Sequence, residues 1–167
     1  MPKLLVLFQS HSPDVIRLVE SAVDGARTVR FAEVDLRRLP TTDGARDPAP
    51  ESTGRAHPPL RDADDLGQYD GLILAAEGEG DTLVRAFGAF GGSLANKVGA
   101  VITPATGADR RTVLWSVLGA MADRGMILVP APFDTEGAAS DESTRKVGKR
   151  VAEVIGWVTH ARSHHHH

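Results

Sequence analysis

The sequence predicts a doubly wound α/β domain, with a parallel five-stranded sheet between two helical layers. Two observations predict it. Five short apolar or β-rich runs recur along the chain, each of strand length. Between them lie segments whose apolar residues repeat at helical spacing. Strands alternating with helices join in parallel through right-handed crossovers, which bury both faces of the sheet.

Leu4 to Phe8 is the first run, continuous as expected for a strand covered on both faces. A helix follows, with Ser12 as N-cap, Pro13 at its first position and a stripe of Val15, Leu18, Val19, Ala22 and Val23. Thr28 to Val34 alternates apolar with polar and reads as the second strand. From Asp35 to Asp65 the chain is rich in Pro, Gly and charge, the composition of a surface excursion. Gly71 to Ala76 is the third strand, followed by a helix with inner face Leu83, Val84, Phe87 and Phe90. Val98 to Thr103 is the fourth strand. The next helix, expected after Asp109, carries Val113, Leu114, Val117, Leu118 and Met121 inward. Met126 to Pro130 is the fifth strand, and a closing helix from Asp141 shows Val147, Val151, Val154, Ile155 and Val158.

The 167 residues suit one domain, assigned to 1–162. The terminal Arg162-Ser163 and four histidines have the layout of a purification tag, so 163–167 is set aside as a remnant. There is no cysteine, which excludes disulfides, thiol nucleophiles and cysteine-ligated metal. A net charge of -3 gives no attraction toward nucleic acid or an anionic membrane. No run approaches the ~20 apolar residues of a membrane span, so the expected location is cytoplasmic.

A sheet of this kind binds ligands beyond the carboxyl ends of its strands. Three loops meet there: Gln9–Asp14, Glu77–Asp81 and Pro104–Arg110. The first offers Ser10, Ser12 and the free amides of a helix start, suited to a phosphate. Against this, Pro13 lacks an N–H and Asp14 brings a carboxylate. At ~5 Å from a phosphate oxygen that charge costs a few kcal/mol at a dielectric of ~20. The alternative is a plain helix cap. In the second loop Glu77, Glu79 and Asp81 could hold a cation or form a solvated acidic turn. In the third, Arg110 and Arg111 stand where the helix dipole disfavours cations. They fit either a visiting anion or a solvated pair facing Asp109 and the acidic loop.

Other chemistry has no foothold. His11, His57 and His160 lack metal-ligand spacing, there is no G-x-S-x-G elbow, and Trp115 and Trp157 fall on helices as core or interface residues. Enzymatic chemistry here would come from a cofactor.

Three stretches carry a resemblance: Leu66-Gly67-Gln68-Tyr69-Asp70-Gly71-Leu72-Ile73-Leu74, Lys97-Val98-Gly99-Ala100-Val101-Ile102-Thr103, and Arg124-Gly125-Met126-Ile127-Leu128-Val129-Pro130. With the opening Leu4 to Ser10, they resemble the flavodoxin-like superfamily, most closely its WrbA-type NAD(P)H:quinone oxidoreductases and related FMN reductases. The resemblance implies a strand order of 2-1-3-4-5 and an FMN held by all three loops, reduced by NAD(P)H and oxidised by a quinone. Ser10, His11, Ser12, Pro13, Asp14 and Val15 would surround the phosphate. Glu77, Gly78 and Glu79 would border the isoalloxazine. Thr103, Pro104, Ala105, Thr106, Gly107 and Ala108 would complete the cradle, with Arg124 beside the ring in a position the family gives to histidine. The resemblance further implies a homo-oligomer, dimer or tetramer.

The chain departs from the family at these loops. Pro13 replaces the phosphate-loop glycine, and Glu77-Gly78-Glu79-Gly80 replaces a Pro-Thr-x-aromatic-Gly turn. The family's long insertion after the fifth strand shrinks to 131–140. The rival expectation is therefore a flavodoxin-like scaffold that has lost FMN and serves as a non-catalytic binding protein.

Overall fold

A computed structural model describes residues 1–9, 12–39, 63–76, 93–130 and 140–164. In chain order these form β1 (Lys3–Phe8), α1 (Pro13–Arg27), β2 (Glu33–Arg38), a 3-10 helix (Ala63–Gln68), β3 (Gly71–Ala75), β4 (Val98–Ile102), α2 (Gly107–Asp123), β5 (Ile127–Leu128) and α3 (Asp141–Ser163). The sheet runs β2-β1-β3-β4-β5 with every pairing parallel, the order the sequence implied.

Alternation along the strands divides the core. Leu4, Val6 and Phe8 of β1 join Ile73, Val98, Ala100 and Ile102 against α1 and α3. Leu5 and Leu7 join Leu72, Leu74 and Val101 against α2. Because β1, β3 and β4 bury side chains on both faces, their apolar runs are unbroken.

Glycines let α1 and α3 touch. A Cβ on Gly148 would stand 2.0 Å from the Ala22 carbonyl oxygen, and one on Gly25 would stand 1.9 Å from that of Arg145. Only hydrogen fits there. The crossing fixes where α1 begins, and hence where its first amides lie.

The second strand corrects the sequence reading. Of the expected run Thr28 to Val34, only Glu33 and Val34 are strand, because α1 continues through Arg27 and Thr28 caps it. Phe31 then turns the chain with φ 69 and is 72% exposed. The strand is Glu33–Arg38, so Asp35 to Arg38 leave the expected excursion. Alternation along it places Val34 and Leu36 toward α1, while Asp35 accepts a 2.7 Å hydrogen bond from the Tyr69 hydroxyl. β5 is also shorter than expected. Met126 stays in the turn, its N–H bonded to the Met121 carbonyl, and Ile127 and Val129 donate to the Lys97 and Gly99 carbonyls.

At the amino edge the Lys97 ammonium donates to the carbonyls of Gly67 and Tyr69. Asp70 accepts from the Lys3 amide at 2.9 Å. Burial lowers the Lys97 pKa, against the opposing pull of Asp70. Trp115 and Trp157 are 66% and 58% exposed, so neither is core. The expected helix bearing Leu83, Val84, Phe87 and Phe90, residues 40–62 and the final three histidines lie outside the described residues.

Candidate functional site

β1, β3 and β4 end side by side, with Phe8 paired to Ala75 and Ala75 to Ile102. The Ala76 amide extends this edge by donating to the Ile102 carbonyl at 2.9 Å. From it the chain leaves in two directions, after β1 to α1 on one face and after β4 to α2 on the other. Diverging connections open a crevice between them.

Ser12 is extended (φ -60, ψ 129), and its carbonyl accepts the Ile16 amide at 3.1 Å. Its hydroxyl does not cap its own helix. Pro13 is well placed at the first helical position, where a missing N–H costs nothing. The amides of Asp14 and Val15 precede the first helical bond, from Ile16 to Ser12, and belong to the first turn outside the helical ladder. Val15 is fully buried and anchors this turn, whereas Asp14 is exposed.

The start of α2 repeats the pattern. Thr103 is 1% exposed and its hydroxyl oxygen accepts the Ala105 amide at 3.1 Å, which sets the turn through Pro104. Thr106 is the N-cap (φ -124, ψ 162), and its hydroxyl too does not cap. The helix begins at Gly107, three residues before the start expected after Asp109. The amides of Gly107, Ala108 and Asp109 form its free first turn.

The two arginines of this turn have different fates. Arg111 is exposed, but Arg110 is only 5% exposed and lies on the core face one turn before Val113 and Leu114. Burial lowers its pKa, yet a guanidinium starts from so high a value that it stays charged. The solvated-pair reading of these two arginines therefore holds for Arg111 and not for Arg110. The signal for this was in the sequence, since Arg110 continues the stripe of Val113, Leu114, Val117, Leu118 and Met121. A second cation missed by sequence reasoning is Arg38, which pairs in register with Phe8 at the same edge.

Ser12, Pro13, Asp14 and Val15 are thus brought to the same edge as Thr103 to Ala108. Ser10, His11, Glu77, Gly78 and Glu79 lie outside the described residues. Arg124 is not brought there. It caps the far end of α2, whose 17 residues span about 25 Å, and so stands at the amino edge. Among the described residues no three His, Cys, Asp or Glu are grouped to hold a metal ion, and no helix is long and apolar enough to cross a membrane. Hydroxyls, helix-start amides and guanidinium groups are the donor chemistry that an anionic ligand takes.

No family model matches the chain. Among curated proteins, an NAD(P)H dehydrogenase (quinone) of Acidithiobacillus ferrooxidans is 30% identical over 85% of this chain and 78% of its own. One of the same name from Syntrophobacter fumaroxidans is 27% identical over 96% and 87%. Among solved structures, a WrbA-like flavodoxin from Agrobacterium tumefaciens superposes with TM-score 0.59 at 18% identity, over 94% of this chain and 99% of that one. FerB of Paracoccus denitrificans, a flavoenzyme NAD(P)H:(acceptor) oxidoreductase, gives 0.54 at 13%, over 95% and 98%. The structures share the fold, and identity of 30% across most of both proteins adds kinship: the chain belongs to the flavodoxin-like NAD(P)H:quinone oxidoreductase family.

Proposed function

We propose that the protein is an NAD(P)H oxidoreductase that carries FMN across the carboxyl edge of its sheet and reduces quinone-like acceptors. The observation that carries this reading is the convergence of two uncapped helix starts, α1 and α2, on one crevice. The names of its relatives and the flavoproteins among its structural neighbours support it.

The donor set fits a flavin phosphate. A hydroxyl side chain at Ser12 beside two first-turn amides is the donor type that a phosphate takes, and the exposed Asp14 can turn to water. Arg38 and the buried Arg110 add positive charge to the edge. Ser12, Asp14 and Val15 would hold the phosphate together with Ser10 and His11. Thr103 to Ala108 would line the ring on one side, with Glu77, Gly78 and Glu79 on the other. When bound, FMN supplies the redox chemistry, accepting hydride from NAD(P)H and passing electrons on. The chain's own part is to orient the ring through the Thr103 turn and to balance charge. Arg124 can border a flavin only from a second copy of the chain, so a homo-oligomer is part of this reading.

The experiment is an absorption spectrum of the purified protein, followed by thermal shift with added FMN and by quinone-dependent NAD(P)H oxidation. Yellow protein, or a melting temperature raised by FMN, is expected. Colourless protein with no FMN-dependent shift overturns the assignment and leaves the scaffold reading.

A further inference from the structure

A groove of about 410 Å³ runs between the end of β5 and the first three turns of α3. None of its described lining residues belongs to the loops assigned above to the flavin. Its volume is that of a small-molecule site. Val129, Pro130 and Val147 make an apolar floor, with Val129 held by its amide to the Gly99 carbonyl. Lys146 and Arg150 stand one turn apart on the α3 wall. The hydroxyls of Ser140 and Ser143 also line the groove but are used in capping. Ser140 accepts the Ser143 amide at 3.0 Å, and the Ser143 hydroxyl donates to the Ser140 carbonyl.

We propose that this groove is a second small-molecule site, for a free monoanionic acid whose apolar body fills the floor and whose carboxylate meets Arg150. The two wall cations are not equivalent. Lys146 is paired with Glu142 at 3.2 Å, an exposed pair one turn apart. Arg150 has no carboxylate in ion-pair range among the described residues. Its guanidinium instead lies 4.9 Å from the centre of the Trp157 ring. That contact restrains the side chain while leaving its in-plane N–H donors for a planar carboxylate. Charge sets the ligand class. Of the charges lining the groove, Glu142 offsets Lys146, which leaves the single positive charge of Arg150; one carboxylate matches it, whereas a dianion such as phosphate exceeds it. A neutral apolar molecule gains the floor alone. The proposal does not rest on the flavin assignment.

The test is calorimetric titration of the purified protein with 1-naphthoate, and with 1-naphthalenemethanol as the uncharged analogue. One-to-one saturable binding is expected, with the alcohol at least about fivefold weaker. Arg150→Gln should weaken naphthoate about tenfold, the worth of one charge-assisted hydrogen bond, and Lys146→Gln only two- to threefold. Ser143→Phe, which fills the groove, should abolish binding. Added FMN should leave the affinity unchanged. Absence of saturable binding, an affinity indifferent to Arg150→Gln and Ser143→Phe, or competition by FMN overturns the proposal.

Discussion

Gly148→Ala tests the contact that sets the position of α1. The new methyl carbon would lie 2.0 Å from the Ala22 carbonyl oxygen, where ordinary contact begins at 3.4 Å. Neither atom can rotate away, since one is fixed to the α3 backbone and the other belongs to that of α1. The helices must therefore part by about 1.4 Å, in an interior packed as densely as an organic crystal. Alanine gains about 1 kcal/mol over glycine in a helix interior. Overpacking against main chain costs about 3 kcal/mol, the upper end of its usual range. The net is a loss of roughly 2 kcal/mol, which at ~2 kcal/mol per molar urea lowers the unfolding midpoint by about 1 M. Gly119→Ala and Gly156→Ala are the controls, because a Cβ at either meets open space. Both should raise the midpoint by up to about 0.5 M. FMN affinity should fall in Gly148→Ala and hold in the controls, since the parting helices carry the Asp14 and Val15 amides with them. A Gly148→Ala midpoint that rises with the controls refutes the close crossing.

Asp14→Asn removes an exposed charge from the start of α1 and should tighten FMN about fivefold at low salt, an advantage that fades as salt screens it. A fluorescence titration showing weaker binding would place the phosphate elsewhere. Glu77→Thr combined with Glu79→Arg should likewise improve FMN affinity, and a decrease would remove the argument that these acids oppose the flavin. Lys97→Met leaves the Gly67 and Tyr69 carbonyls without the ammonium and should cost about 1–3 kcal/mol in urea unfolding. The same variant has a pH signature. Burial sets the folded pKa of Lys97 below its unfolded value of 10.5, so between the two the unfolded chain binds more protons. Stability from this group therefore rises with pH through that window. The wild-type advantage over Lys97→Met should grow from the lowered pKa up to 10.5, and a shrinking advantage would contradict the sign.

The central strands were legible because burial on both faces leaves them no polar positions; β1, β3 and β4 begin or end within one residue of their apolar runs. β2 was not, because an edge strand half-covered by one helix tolerates Asp35, Arg37 and Arg38, and its sequence reads as surface. The alternation from Thr28 to Ala32 was an accident of a helix end followed by a turn at Phe31, and only the run's last two residues, Glu33 and Val34, enter the strand. At the site, Ser12 and Pro13 announced their helix start by residue type alone. Arg124 was placed beside the ring by resemblance, yet the length of α2 already carries it to the opposite edge.

Most of the residues that betray the family stand apart from those that would do its chemistry, with Ser10 and Thr103 at the ends of their stretches the points of overlap. Tyr69 and Asp70, Lys97, and Arg124 to Met126 all stand where strands enter the sheet. There the Val98 amide donates to the Asp70 carbonyl, Ile127 to that of Lys97, and Asn96 to that of Gly125. A Cβ on Gly71 would strike Ile155, and one on Gly99 would strike Met121 and Met126. These residues brace the amino edge, and any protein of this topology needs that edge braced whatever it binds. The carboxyl edge answers only to the ligand, so its loops can drift while the bracing persists. Likeness at the amino edge therefore establishes scaffold and descent, and the redox assignment stands or falls on Ser12, Asp14 and the Thr103 turn.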